Sequence, residues 1–222
     1  MATKIAWTNK TWNPVSGCTR VSDGCDNCYA VGQTRRCENC KQKKYAGLTV
    51  LDKRGRRHFN GVVRCHEYEL SKPLRWKKGR MIFVNSMSDL FHKKVPLEFI
   101  RKVFDVIRQC PQHRFQVLTK RPERVAQLDA HLDWPDNLWM GVTVENNDVC
   151  HRVGLLRDGC SAKMKWLSIE PLIGPVPDIR LLDIDWVVVG GESGAHGRPM
   201  QKECIDDLHS LCIRRGIPFF FK

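Results

Sequence analysis

From residue 80 onward, the hydrophobic positions switch between two periods. Met81–Val84 is a short apolar run, the pattern of a strand buried on both faces of a parallel sheet. Over 96–109, Phe99, Ile100, Val103, Phe104 and Ile107 recur at helical spacing behind Pro96, which suits a first helical turn. The unit then repeats, with strands predicted at 115–118 and 138–144 and helices at 122–131 and 147–158. A strand at 165–169 returns irregularly through Pro171, Pro175 and Pro177. A strand at 186–189, a helix at 201–215 and a strand at 217–221 complete the series. Strand, crossover, strand at this spacing predicts parallel α/β architecture.

The first third is less regular. Residues 4–12 alternate loosely through Ile5, Trp7 and Trp12 and predict a strand, and 26–37 predicts a helix. Residues 35–80 otherwise show no period and carry basic runs at 41–44 and 53–57. The expectation is one domain over 1–222: a partial (β/α) barrel of about six parallel strands, with 35–80 as a basic, cysteine-rich insertion. A long irregular segment inside a domain is uncommon unless it is functional or tied down. Cys37, Cys40 and Cys65 are candidates for the tie.

The predicted strands end in polar residues: Asn85, Ser86, Ser88 and Asp89; Thr119, Lys120 and Arg121; Thr143, Glu145 and Asn146; Ser168 and Glu170; and Gly190, Gly191, Glu192, Ser193 and Gly194. In a β/α barrel, the C-terminal strand ends build the active site. Caps and Asx turns account for Ser, Asn and Asp at such places, but less well for Glu145, Glu170 and Glu192.

Composition narrows the class. The chain has 222 residues and no long apolar run or apolar leader, so neither a membrane span nor a secretory signal is expected and the cytosol is the expected compartment. Its net charge of +13 is uneven, since residues 1–80 hold 18 Lys or Arg against 6 acids while the remainder is nearly balanced. A basic third of this kind suits a polyanion, most simply a nucleic acid or nucleotide-like substrate, although a solvated basic face is the plainer account. In a reducing compartment the 11 cysteines are expected as ligands, catalytic groups or small buried side chains rather than disulfides.

Cys18, Cys25 and Cys28 form a Cys-x6-Cys-x2-Cys loop framed by Pro14, Gly17 and Gly24. Thiolates are soft ligands for iron–sulfur clusters and zinc. A closed zinc site wants four ligands, whereas a [4Fe–4S] cluster held by three leaves one iron open.

A glycine-flanked three-cysteine loop after the first strand resembles the radical S-adenosylmethionine (SAM) superfamily. More narrowly, Trp12-Asn13-Pro14-Val15-Ser16-Gly17-Cys18 with Cys25-Asp26-Asn27-Cys28-Tyr29-Ala30 is similar to a phage- and prophage-encoded family in or near that superfamily. The similarity extends through 73–77, 82–91, 115–123, 141–146, 167–172, 185–193 and 218–222, and in that family the chain is expected to continue beyond Lys222. The resemblance implies that Cys18, Cys25 and Cys28 hold three irons, that the fourth chelates SAM, and that an electron donor drives its cleavage to a 5′-deoxyadenosyl radical. It places Asn85, Ser86, Ser88 and Asp89 at the methionine end of SAM, and Glu145 and Glu170 on ribose hydroxyls. Gly190, Gly191 and Glu192 would form a turn against the ligand, and Lys120 and Arg121 would take a carboxylate or phosphate. Two features depart from the usual superfamily pattern: the first cysteine gap is six, with Tyr29 after the third cysteine rather than an aromatic before it, and the glycine–glycine–glutamate run comes late, at 190–192.

The other cysteines leave alternatives open. Cys37, Cys40 and Cys65, with His58 or His66, could hold zinc or an auxiliary cluster. Cys25, Cys28, Cys37 and Cys40 could instead form a four-thiolate zinc site, although the spacer is short and Cys18 is left over. Cys110, Cys150, Cys160, Cys204 and Cys212 read as small buried side chains. Trp139, Trp166 and Trp186 read as core, and Trp7 and Trp12 as lining the cluster mouth. The rivals to an enzyme are a zinc-stabilised nucleic-acid-binding protein on a barrel scaffold and a barrel without chemistry that serves as a partner subunit.

Overall fold

Short apolar runs flanked by polar turns leave each strand few ways to bury both faces, and a curled parallel sheet with helices outside satisfies them. The computed structural model describes Thr3, residues 5–193 and residues 197–222; Lys4 and Gly194 lie outside the described residues. The chain runs β1 (Lys10–Trp12), β2 (Val15–Ser16), α1 (Tyr29–Asn39), β3 (Thr49–Leu51), β4 (Arg57–Phe59), β5 (Arg64–Cys65) and β6 (Met81–Val84). It continues through α2 (Leu97–Arg108), β7 (Arg114–Thr119), α3 (Pro122–Leu128), β8 (Leu138–Thr143) and α4 (His151–Gly159). It ends with β9 (Met164–Ile169), β10 (Trp186–Val189), α5 (Lys202–Arg215) and β11 (Phe219–Phe221).

Seven strands form one parallel sheet in the order β1-β6-β7-β8-β9-β10-β11, curled into a half-barrel. Each new strand is laid beside the previous one, so all the C-terminal ends share one rim. Alternate residues divide between two cores. Ile82, Val84, Phe115, Val117, Met140 and Leu167 face the helices and pack with Ile100, Phe104, Leu156 and Leu208. Phe83, Trp166 and Val188 face the concave side, where Trp7 joins them and Leu118, Trp139 and Trp186 pack at the margin. Trp166 stacks on Trp186 at 5.2 Å between ring centroids, and Trp7 meets Phe83 at 4.8 Å edge-on.

Three expectations need correction. The first strand begins at Lys10, because residues 6–7 turn instead and drop the Trp7 ring onto the concave face. Trp12 does not line the mouth; it is buried in the helix-side core, and its indole N–H donates to the Glu69 carbonyl at 2.9 Å. Residues 35–80 are less irregular than their pattern suggests, since β3 pairs with β4 and β2 with β5 as antiparallel ribbons.

Charge ties the segment to the body of the fold. Glu69, almost fully buried, takes Lys44 at 2.9 Å and Lys72 at 2.8 Å, and Lys44 also donates to the Asn13 carbonyl. Losing the Glu69 carboxylate would leave Lys44 without its counter-charge in a nearly buried site, which typically costs about 3–5 kcal/mol. Cys37 packs among Ala30, Tyr45, Leu48 and Met87, Cys40 is exposed at the end of α1, and Cys65 lies against the main core. Among the described residues, no three His, Cys, Asp or Glu side chains are grouped to hold one metal ion, and this holds for Cys18, Cys25 and Cys28 as well as for Cys37, Cys40 and Cys65. All 11 cysteines are free thiols, and Cys110, Cys150, Cys160, Cys204 and Cys212 are buried. Among the described residues, no helix is long and apolar enough to cross a membrane.

Candidate functional site

The loop after β1 crosses the C-terminal rim because two glycines allow close approach. Gly17 has φ +83°, and a Cβ there would stand 2.0 Å from the Val62 carbonyl oxygen. Gly24 lies against Glu145, whose Cγ would be 2.4 Å from an added Cβ. Beneath the loop lies a cleft of about 1080 Å³, its open mouth included.

Cys18, Cys25 and Cys28 all line this cleft, and no fourth cysteine and no histidine is among its described lining residues. Burial foremost, then the charge of Asp89, pushes the Cys18 thiol up to about 12, with Arg121 working the other way. Burial raises Cys28 as well, against the N–H of Ala30 and the charge of Lys120. Cys18 and Cys28 each feel Cys25, which places the three thiols within electrostatic reach of one another. At neutral pH a bound metal would have to displace protons from Cys18 and Cys28.

One rim wall is a network centred on Asp89, which is 5% exposed. Its carboxylate accepts from Thr119 Oγ1 at 2.8 and 2.9 Å, from the Phe91 N–H at 2.9 Å and from Arg121 Nη1 at 2.5 Å. Arg121 Nη2 reaches the Thr19 carbonyl and hydroxyl at 3.0 Å, and both terminal nitrogens lie 3.9 Å from Cys18 Sγ. Arg121 is therefore pinned beside Cys18 and is not a free receptor for a ligand carboxylate or phosphate. Behind it, His92 Nδ1 accepts the Lys94 N–H at 3.1 Å, so Nε2 carries the proton and donates to Thr19 Oγ1 at 3.0 Å.

Asn85 has φ +60° and is 3% exposed. Its Oδ1 accepts the Val15 N–H at 3.1 Å, while Nδ2 is buried without a hydrogen-bond partner, and the residue is among those lining the cleft. A buried amide donor left open at a cleft wall is costly unless a ligand meets it. The neighbouring hydroxyls are already engaged: Ser86 donates to Asn13 Oδ1 at 3.2 Å and Ser88 to the Val15 carbonyl at 2.9 Å.

The three glutamates part ways. Glu145 is 1% exposed and lies behind the cleft wall, accepting from Ser22 at 2.7 Å, Lys120 at 3.2 Å and Arg152 at 2.9 Å. Only Ser22 among these partners belongs to the cysteine loop, and Glu145 is not among the described residues that line the cleft, unlike the other glutamate expected on a ribose. Glu170 does line the cleft; it accepts the Trp7 indole N–H at 3.0 Å and faces Lys222 at 3.3 Å. Glu192 also lines it, but as a latch: Asn27 donates to it at 2.8 Å, and Arg198 donates through both its backbone and its guanidinium. Burial works to raise the Glu192 pKa, yet Arg198 and Asn27 prevail and hold it at about 2. Gly191 lines the cleft, whereas Gly190 sits behind it, where an added Cβ would meet Glu170 Oε1 at 3.0 Å.

Sequence reasoning missed Arg198, Thr19, Phe59 and Lys222. Their roles come from distant partners that leave no local pattern, although the position of Lys222 directly after a strand was a usable signal.

Three cysteines are one ligand short of a closed zinc site and sufficient to anchor a [4Fe–4S] cluster. In a cubane each thiolate bonds a different iron, so the ligands need not crowd as they do around one zinc. Three thiols, the Asn85 amide left open and the cationic Lys120 and Arg121 alongside suit an anionic cluster with one open coordination position. Neither a curated protein nor a solved structure matches the chain. Over residues 2–222 it matches one family model, and so the chain belongs to the family described as "Protein of unknown function (DUF5131)".

Proposed function

We propose that this chain is an iron–sulfur enzyme of the radical-SAM type, acting on a nucleotide or nucleic acid. Cys18, Cys25 and Cys28 are its cluster ligands, and residues 35–80 are a basic insertion beside the mouth of a partial (β/α) barrel. The observation that carries this reading is that three thiols line one rim cleft whose described lining holds no fourth cysteine and no histidine. When bound, the cluster and SAM supply one-electron cleavage of a sulfonium, fed by an external electron donor.

The chain's own residues have definable tasks. Asn85 Nδ2 donates to the carboxylate of an amino-acid ligand. Glu170, oriented by the Trp7 indole, accepts from a hydroxyl. Arg121 donates toward Cys18 Sγ, and hydrogen bonds to ligand sulfur are one determinant of cluster potential. Trp7 and Phe83 line the floor and exclude water from the reacting groups.

Anaerobic reconstitution with iron and sulfide, followed by electron paramagnetic resonance of the reduced protein with and without SAM, tests the proposal. A [4Fe–4S] signal that changes on adding SAM supports it. Stoichiometric zinc with no such signal would replace it with the reading of a zinc-stabilised nucleic-acid-binding protein.

A further inference from the structure

The ribbon β3–β4 stands out by its charge. Residues 41–64 hold eight Lys or Arg and one acid, Asp52. That acid is turned onto its own backbone, where Oδ1 accepts the N–H groups of Arg54 at 2.8 Å and Arg56 at 2.9 Å. Lys53, Arg54 and Arg56 are exposed, and among the described residues none of them forms a salt bridge. The tip is therefore a cluster of exposed cations with one acid among them. Its root lies at the cleft, because Phe59 of β4, half-buried, is among the lining residues, and so is Tyr29, which is 46% exposed and donates its hydroxyl to the Ser86 carbonyl.

We infer that the β3–β4 ribbon is a backbone clamp for a single-stranded nucleic acid, and that Phe59 and Tyr29 stack bases at the entrance to the cleft. The inference rests on the reading of the cleft as the reaction site and narrows its substrate from nucleotides in general to a polynucleotide strand. Cations that follow phosphates, combined with aromatic faces that accept any base, are the usual means of holding single strands. Chemistry on a base requires that base out of the duplex stack. An anionic membrane would also attract the cations, but the two aromatics line a cleft rather than a protruding face that could enter a bilayer.

The test is fluorescence anisotropy with the full chain and labelled 20-nucleotide oligo-dT and oligo-U, across a salt series. The variant carries Lys53→Gln, Arg54→Gln and Arg56→Gln. A matched control carries Lys77→Gln, Lys78→Gln and Arg80→Gln, which precede β6 and lie toward the opposite rim. Three lost phosphate contacts should reduce the slope of log K against log salt by about 2, which is roughly fiftyfold in affinity when carried from 1 M to 0.15 M salt. The control should bind like the unmodified chain, and the ratio between the two oligomers shows whether DNA or RNA is preferred.

Equal loss in both variants, no oligomer binding by the unmodified chain, or ribbon-dependent binding to phosphatidylserine vesicles in place of oligomers would each overturn the inference. Iron and sulfide content, measured on the same samples, judges the cluster separately. Strand binding without a cluster would remove the enzymatic reading and leave the clamp, whereas a cluster without strand binding would do the reverse.

Discussion

Asp89→Asn probes the rim wall with the smallest change in shape. It removes the charge facing Arg121 while keeping an oxygen for Thr119 or the Phe91 N–H. The Asp89 and Arg121 side chains are 7% and 15% exposed, so the guanidinium loses its counter-charge where water reaches it poorly. Removing one partner of a buried pair typically costs about 3–5 kcal/mol. Arg121 keeps the Thr19 carbonyl and hydroxyl as acceptors, which places the expectation at the low end, about 3 kcal/mol. For a chain of this size that corresponds to a fall in Tm of about 6–12 °C. Urea and thermal unfolding of the metal-free protein at pH 7 measure it without interference from cofactor loading. The double variant with Arg121→Gln should recover part of the loss, because coupling energies in such pairs run to about 0.5–3 kcal/mol. A single-variant loss below about 1 kcal/mol, or strictly additive losses, would refute a wall held by this ion pair.

Replacing Cys18, Cys25 or Cys28 singly by Ala should abolish cluster retention, measured as iron and sulfide per chain; a full cluster in any one variant removes that residue from the ligand set. Gly17→Ala adds a methyl 2.0 Å from a carbonyl oxygen at φ +83°, and overpacking of about 1–3 kcal/mol together with about 1–2 kcal/mol for the left-handed backbone should appear as a lower urea midpoint. Stability should also fall in acid. Burial, reinforced by Lys44 at His66 and by Arg121 at His92, lowers both histidines to about 4. Folded values below the ordinary 6.5 mean that this contribution is complete above pH 6.5 and is lost as pH falls through 4, by at most about 3 kcal/mol per histidine. His66→Gln should flatten that slope in urea titrations between pH 7 and 4; an unchanged slope would show that His66 is not the group responsible.

The parallel sheet was legible because strands buried on both faces must be apolar throughout, as in Met81–Val84 and Trp186–Val189. The helix over 97–108 was equally plain from the spacing of Phe99, Val103 and Phe104. The polar strand ends and the three cysteines were also legible, and the cleft collects most of them. What could not be read was the division of labour among like residues. Glu145, Glu170 and Glu192 look equivalent after their strands, yet Arg152 and Ser22 occupy the first, Trp7 orients the second and Arg198 latches the third. Trp7 and Trp12 likewise share one alternating stretch, but the turn at residues 6–7 sends them to opposite faces of the sheet. In each case the deciding partner is far away in sequence.

The fastening of the cysteine loop also implies an order of assembly. Ser22 bonds to a residue 123 positions later, Asn27 to one 165 later, and Arg198 reaches back 175 positions to the Asp23 carbonyl. Contacts of such separation form late, after the intervening chain has closed its loops. The three thiols leave the ribosome first, but their surroundings are complete only when β10 and the stretch carrying Arg198 have been added. Until then they are unprotected sulfhydryls on an unfinished sheet. The walls around the cysteine loop therefore close only after the stretch carrying Arg198 has docked.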